Sequence, residues 1–505
     1  MGGYTFVASD LLLQFDPASD LPIYLQLYEQ LRTAIVSKCR LGPGTKLPST
    51  HTLDGQLGIS RNTVLAAFEQ LLAEGYLEGR IGSGTFVART LPDEFLGARN
   101  RTAAQPTPRP VAQVSRRGRI VRSLAPATSL SQVVPWPSVP KPFRLHTPTF
   151  DNFPYDVWKR LLIRAWDRIR PDMLGYGSPA GWRPLREAIA QYLRASRAVR
   201  CDWQQVIITA GSKQAMHLTA MIMTDSGDPV FIENPSYSGI RVAFSLSGGE
   251  MVPLPVDGEG IDIACGERLR PDARLTYVTP SHQYPLGVTM SLRRRLELLD
   301  WARRRDGWII EDDYDSEFRY AGRPVASLQG LDDQQRVIYI GTFSKVLMPS
   351  LRLAYMVVPH DLVDTFIAAR AHTDWSSPVV EQVALTDFIT EGHFARHVRR
   401  VRAQNGERQK CFLKAAREHL HGLLEVPSKD SGMHLLGWLP DGVDDVSVSN
   451  DLFAQGVEAL PVSRFADPPI DRGALLFGYA PFDERDTVAA MQKIAAVIES
   501  QLAPR

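Results

Sequence analysis

A lysine set just past an apolar strand is the residue in this chain whose placement most suggests chemistry. Val337-Ile338 through Ile340 form a β-rich run that leads into Gly341-Thr342-Phe343-Ser344-Lys345. In such a low-dielectric place the ammonium is costly, so its pKa falls and the free amine becomes a nucleophile able to form a Schiff base with an aldehyde. Arg352, slightly downstream, offers a planar fork suited to a phosphate. The same pair also fits a plain surface Lys and Arg after an edge strand.

Other residues fit the same chemistry. Trp308-Ile309-Ile310 is an apolar run closed by Glu311-Asp312-Asp313-Tyr314, and the carboxyl end of a strand is where open α/β sheets bind ligands. Asp312 there can hold a pyridinium nitrogen protonated, and Tyr314 can hydrogen-bond a ring hydroxyl. Val206-Ile207-Ile208-Thr209 runs into Gly211, Ser212 and Lys213, a strand-to-helix turn whose backbone N–H groups make an anion site. Tyr237 follows the strand Val230-Phe231-Ile232, where an aromatic serves a core as readily as a cofactor. His282 has two readings, a neutral imidazole polarising a ring hydroxyl or one satisfied by backbone.

The elements that must position these residues alternate. From Phe150 onward amphipathic helices interleave with short apolar strands, which predicts a mixed, largely parallel sheet. Past about residue 375 comes a helical connection, then strands near 432–439 and 473–481 that belong to a smaller C-terminal subdomain.

Upstream the pattern differs. Apolar residues at helical spacing from Ile23 to Val36, a break at Gly42-Pro43-Gly44, a helix capped by Ser49, a turn at Gly58 and a helix capped by Ser60 give helix, turn and helix. Residues 78–87 then read as two short strands around the glycine-rich tip Gly82, Ser83 and Gly84. This is a winged helix-turn-helix. Ser60, Arg61, Asn62 and Thr63 lead the helix suited to the major groove, with Arg61 for guanine or phosphate and Asn62 for adenine. Arg80 and the tip suit a wing along the backbone or minor groove. Between these parts, residues 90–140 are proline-rich and basic, with Ser115-Arg116-Arg117-Gly118-Arg119 in the middle. They read as a semi-rigid connector whose arginines can reach phosphates or simply be solvated.

The chain has 505 residues, 44% hydrophobic and 22% charged, which predicts two or three globular domains. A net charge of +1 means that DNA binding must come from a local basic face. Cys39, Cys201, Cys265 and Cys411 lack metal-ligand or redox spacing, which excludes a disulfide framework or structural zinc. With neither a signal peptide nor a membrane-length apolar run, the expected location is the cytoplasm.

Taken together, Tyr176-Gly177-Ser178-Pro179-Ala180-Gly181, Glu233-Asn234-Pro235-Ser236-Tyr237-Ser238-Gly239, Thr279-Pro280-Ser281-His282-Gln283-Tyr284-Pro285-Leu286-Gly287, residues 311–320 and residues 344–355 resemble a fold-type I aminotransferase. Leu47-Pro48-Ser49, Ile59-Ser60-Arg61-Asn62-Thr63-Val64 and Gly82-Ser83-Gly84-Thr85-Phe86-Val87 resemble GntR-type DNA-binding domains. The whole is similar to the MocR/GabR subfamily of GntR-type transcriptional regulators. The resemblance implies an N-terminal α+β winged helix-turn-helix over 21–89, a linker over 90–140, and a C-terminal α/β fold-type I aminotransferase-like domain with a smaller α+β subdomain over 141–505. It implies pyridoxal 5′-phosphate with Lys345 as Schiff-base lysine, Asp312 on the ring nitrogen and Tyr314 on the ring hydroxyl. Tyr237 would stack on the ring, and Gly211, Ser212, Lys213, Ser344 and Arg352 would surround the phosphate. Tyr176 would reach the cofactor of a second subunit in a homodimer, with no role at a membrane.

The departures matter as much. Ser49 counts with the expected DNA contacts, and His51 stands where GntR-type domains carry Arg, so a contact to the double-stranded operator there is weaker or pH-sensitive. Tyr284 replaces the Asn usual before Pro-x-Gly. Leu476 stands where aminotransferases carry the arginine that grips the substrate carboxylate, and Gly239 replaces the arginine that a GABA-sensing relative carries after the stacking tyrosine. Arg464 and Arg472 are the loop arginines available in exchange. The expected function is a regulator that senses a small amine (an amino sugar, aminosulfonate or diamine) or the cofactor itself. The competing reading is a working aminotransferase with an accessory DNA-binding domain.

Overall fold

Leu27, Leu31 and Ile35, spaced by helical turns, are fully buried along one side of α1 (Ile23–Val36). The computed structural model describes residues 13–16, 19, 21–37, 41–80, 82–91, 113–124, 141–321 and 326–502. It divides into two units, residues 1–113 and 114–505. In the first, α1 packs on α3 (Arg61–Ala73), and α2 (Thr50–Leu57) joins them around Leu53, Val64 and Phe68. Ser49 and Ser60 are the helix caps expected, their hydroxyls accepting the Thr52 and Thr63 N–H groups at 3.1 and 3.2 Å. Gly58 ends α2 with φ 65°, a left-handed turn that favours glycine. Strands β1 (Leu77–Arg80) and β2 (Gly84–Val87) pair antiparallel with Arg80 opposite Gly84, which completes the wing.

In the second unit, the expected connector of little periodicity instead carries a helix, α4 (Arg116–Leu124), which lies against a helix of the same unit, Ser238–Ser247. Arginine is a good helix former, and the Ser115 hydroxyl accepts the Gly118 N–H at 3.1 Å, so the basic run has local reasons to coil. The proline-rich pieces at 107–110 and 135–140 lie outside the described residues, as does Cys39; Cys201, Cys265 and Cys411 are unpaired.

The main sheet has eight strands in the order β3-β10-β9-β8-β7-β4-β5-β6. β5 (Glu250–Asp257), β4 (Pro229–Asn234), β7 (Leu275–Val278), β8 (Trp308–Asp313) and β9 (Val337–Thr342) run parallel. β10 (Ala354–Val357) is antiparallel to both β9 and β3 (Val206–Thr209), and β6 (Gly260–Ile261) to β5. β3, β9 and β10 are buried on both faces, as a sheet covered by helices requires, whereas β5 towards the far edge is partly exposed. A small antiparallel sheet, β11-β13-β12 (His434–Trp438, Ala474–Gly478, Leu460–Pro461), makes the C-terminal subdomain with its own apolar cluster. The helix His393–His419 leads into it. Among the described residues no helix is long and apolar enough to cross a membrane.

One ion pair under the sheet's carboxyl end ties these layers together. Arg197, on the helix Arg183–Arg197, donates to Asp313 at 2.8 Å and to Ser281 at 2.7 Å, with both charged side chains almost wholly buried. Tyr339 and Ser316 also donate to Asp313. Removing one partner of a buried pair leaves the other charge uncompensated. Arg197→Ala is therefore expected to destabilise the second unit by about 3–5 kcal/mol, read as a lowered midpoint in urea unfolding; a midpoint within error of the parent would refute this.

Candidate cofactor site and nucleic-acid face

Asp312, near the carboxyl end of β8, lies next to the ends of β9 and β7, and Tyr277, Asp312 and Thr342 from these three strands line one cavity of about 200 Å³. Tyr277 donates to Asp312 Oδ2 at 2.7 Å, while Oδ1 is buried and has no partner among the described residues. Burial pushes the Asp312 carboxyl up to about 7. Lys345, on the turn after β9, is half-buried and lines the same cavity; desolvation brings its amine down to about 8.

The opposite end of the cavity is built for an anion. Gly211, Ser212 and Lys213 sit at the start of the helix Ser212–Met223, whose free N–H groups face the cavity. Gly211 has φ 149°, and a Cβ there would stand 3.3 Å from the Arg352 guanidinium. A side chain at 211 would fill the space in front of that fork. Ser344 lines the same wall, its N–H held by the Thr342 hydroxyl at 3.1 Å. Tyr237 and Tyr314 line the flanks.

The residues present thus fit pyridoxal phosphate. The orphaned Asp312 oxygen could take a ring N–H, the Gly211–Arg352 cradle has room for a phosphate, and the Lys345 amine lines the same cavity.

Two expected residues are not at this cavity. His282 lies behind Tyr314: its Nδ1 is 3.0 Å from Asp315 Oδ2 and 2.9 Å from the Tyr314 hydroxyl, which itself donates to the His282 carbonyl at 3.0 Å. It therefore meets neither earlier reading, contacting a side chain that lines the cavity rather than the cavity itself. Tyr176 is 91% exposed and rests edge-on against Trp375, away from the cavity of its own chain. Neither Arg464 nor Arg472 lines it either: they are engaged by Asn450 and by Glu425 with the Leu439 carbonyl. Leu476 is fully buried in an apolar cluster with Leu145, Leu436 and Val462. A Cβ at Gly239 would collide with the Tyr237 ring as it is placed here, so a side chain at 239 would require that ring to shift.

Sequence reasoning missed Tyr277, His146, Thr279, Tyr284, Thr342 and Pro349 as lining residues. Tyr277 lies on the strand neighbouring β8, a signal visible only once the strand order is known. His146 comes from an extended segment without periodicity and carried no signal.

In the first unit, Arg61 and Asn62 are exposed at the start of α3, as a recognition helix needs. Thr63 and Ser60 are partly committed to the cap, their hydroxyls 2.8 Å apart, and Ser49 pairs likewise with Thr52. His51 is 87% exposed and lies 3.5 Å from Asp54. Arg80 lies over the Phe86 ring at 4.6 Å, tethered by Glu78 at 2.5 Å. Lys46 was also missed. It bridges to Phe86 and sits beside Gly84, adding a cation to the wing. Gly82 and Gly84 have φ 73° and 103°, so the tip needs glycine at both.

A winged-helix head on a body shaped like a pyridoxal-phosphate enzyme defines a class of DNA-binding regulators. Residues 23–87 match the bacterial regulatory proteins of the gntR family, and residues 147–467 match aminotransferase class I and II. The chain is 40% identical to the probable rhizopine catabolism regulatory protein MocR of Rhizobium meliloti, over 97% of each chain. It is 33% identical to the HTH-type transcriptional regulator YhdI of Bacillus subtilis, over 96% of this chain and 97% of that one. Among solved structures it is similar to the Pyrococcus horikoshii kynurenine aminotransferase in complex with PMP, with 26% identity and TM-score 0.68, over 78% of this chain and 96% of that one. The chain belongs to the MocR group of GntR-type transcriptional regulators, and its body has the fold-type I aminotransferase fold.

Burial governs the Lys345 amine, which sets up a direct check. After reductive methylation with labelled formaldehyde, its NMR resonance is expected to titrate near 8, losing its proton as pH rises through that value, while exposed lysines titrate near 10. A Lys345 midpoint at or above 10 would contradict a desolvated site.

Proposed function

We propose that this chain is a pyridoxal-phosphate-dependent transcriptional regulator that responds to a small primary amine. The observation that carries the reading is the buried, unpartnered Asp312 oxygen in the same cavity as the half-buried Lys345 amine, in a chain that also bears a winged helix. Bound pyridoxal phosphate supplies an aldehyde that condenses with primary amines and a ring that accepts electrons. Lys345 would hold the aldehyde, Asp312 would keep the ring nitrogen protonated and Tyr237 would lie against the ring. Tyr314, hydrogen-bonded to His282, would meet the ring hydroxyl, while Gly211, Ser212, Lys213, Ser344 and Arg352 would take the phosphate. An effector amine would act by taking the place of Lys345, and loss of that link would alter the DNA-bound state.

Sensing is favoured over turnover because the fixed carboxylate clamp is missing: Leu476 lies in an apolar cluster, and position 239 is glycine. A bidentate arginine in a dry pocket is hard to replace. Two copies form the working protein. The outward-facing Tyr176, Trp375 and Leu174, exposed by 91%, 39% and 65%, support a docking face for the second subunit, where Tyr176 reaches its partner's cofactor. The two heads then read two half-sites of a double-stranded operator through Arg61, Asn62 and the Arg80–Gly84 wing.

Two substitutions separate the halves. Lys345→Ala is expected to abolish the visible absorption band formed with pyridoxal phosphate and the borohydride-trapped adduct at position 345, while operator binding remains measurable by gel shift. A surviving band would overturn the lysine assignment. Arg61→Ala is expected to weaken operator binding by about 1–3 kcal/mol if it reads a base edge, and unchanged affinity would remove it from the interface.

A further inference from the structure

Behind the cavity wall lies a buried cluster whose role the cofactor reading leaves open. His282, Asp315 and His434 are 2%, 1% and 6% exposed, and none of the three lines the cavity. They come from separate places: the loop after β7, the turn after β8 and the start of β11. Their contact with the cavity is Tyr314, which does line it. Gly287 and Gly432, with φ 67° and 99°, leave room for the His282 ring, since a Cβ at either would press on it.

The hydrogen bonds fix where the protons sit. Tyr314 gives its hydroxyl proton to the His282 carbonyl at 3.0 Å, so towards His282 Nδ1, 2.9 Å away, the phenol oxygen can only accept. Asp315 Oδ2, 3.0 Å from the same nitrogen, accepts as well. Nδ1 therefore carries the ring proton and shares it between two oxygens. Nε2 is buried without a partner among the described residues, so a second proton there would have no acceptor. His434, ring centroids 4.9 Å away, donates from Nε2 to the Pro285 carbonyl at 3.1 Å. Burial first, and His282 second, bring its pKa down to about 3, so it adds a neutral ring to this wall.

We infer that Asp315 and His282 are positioning residues for Tyr314: Asp315 holds His282 in its Nδ1–H tautomer, and that N–H, donating into the phenol oxygen, aims and strengthens Tyr314 as a donor to the cofactor's ring hydroxyl. The inference rests on the cofactor reading above. A phenol that accepts a hydrogen bond becomes a better donor in turn. In the other tautomer Nδ1 would be an acceptor and would draw the Tyr314 proton inwards, away from the cavity. Asp315 thereby acts on the cofactor without touching it.

Two measurements on the full-length chain test this. Without cofactor, nitrogen NMR of the histidine-labelled chain, with the signal assigned through His282→Gln, is expected to show His282 as the Nδ1–H tautomer. Asp315→Asn is expected to move it towards Nε2–H, and an Nε2–H or doubly protonated His282 in the parent would overturn the inference. With pyridoxal 5′-phosphate bound, the pH midpoint of the cofactor's visible band is followed. A donor to the ring oxygen favours the deprotonated chromophore, which carries the most negative charge there. Tyr314→Phe is therefore expected to raise the midpoint by about one pH unit, and Asp315→Asn by about half as much. Adding Asp315→Asn to Tyr314→Phe is expected to raise it no further. Direct charge acts in the opposite sense: burial lowers the Lys345 amine and the Asp315 charge opposes that, so loss of the charge alone would lower the midpoint. An unchanged or lower midpoint in Asp315→Asn, or a further rise in the double variant, sinks the inference alone. If Asp315→Asn does not fold, the tautomer in the parent decides. No band in the parent sinks the cofactor reading and the inference together.

Discussion

Everything in the second unit turns on the cost of keeping an ammonium and a carboxylate out of water in one small cavity. Lys345 and Asp312 stand at the carboxyl ends of neighbouring strands, and burial drives their pKa values toward one another, down to about 8 and up to about 7. Asp312 is only half satisfied, by Tyr277. A half-satisfied buried carboxylate is costly for the chain alone, and a donor that reached its free oxygen would relieve that cost. The Arg197–Asp313 pair lies immediately behind, and the helix start at Gly211 supplies positive partial charge at the far end.

The rest of the cavity follows a different logic. His146 and Tyr284 line it, with burial holding the His146 imidazole well below its usual pKa, and Leu476 lies outside it in an apolar cluster. Loss of the clamp and retention of the cofactor apparatus are compatible. The first concerns the small subdomain's β13 and the segment after Tyr237, the second the carboxyl ends of the main-sheet strands.

Much of this was legible before the structure. Residues on strand ends and helix starts, such as Asp312, Lys345 and Ser212, were found because strand and helix signals are local and a residue's position on them follows directly. Ser49 and Ser60 were found as caps for the same reason, although capping partly occupies the hydroxyls assigned to DNA. Misses share a different cause. Tyr277 and Tyr284 reach the cavity through strand order and a folded-back loop, and Lys46 joins the wing through a single bridge across many residues. His282 was placed one layer too far forward, because sequence cannot tell a residue that touches the cavity from one that orients it.

The order of residues by itself determined the class of each half: helix–turn–helix with a glycine-tipped hairpin, then alternating helices and strands carrying lysine, aspartate and a glycine turn. Those patterns depend on periodicity, caps and turn chemistry, which act over a few residues. Tertiary structure alone decided which of these groups share a cavity, which charges are neutralised by partners far along the chain, and which carboxylate oxygen is left wanting one. Burial and hydrogen-bond satisfaction are properties of three-dimensional neighbourhoods, and no window on the sequence contains them.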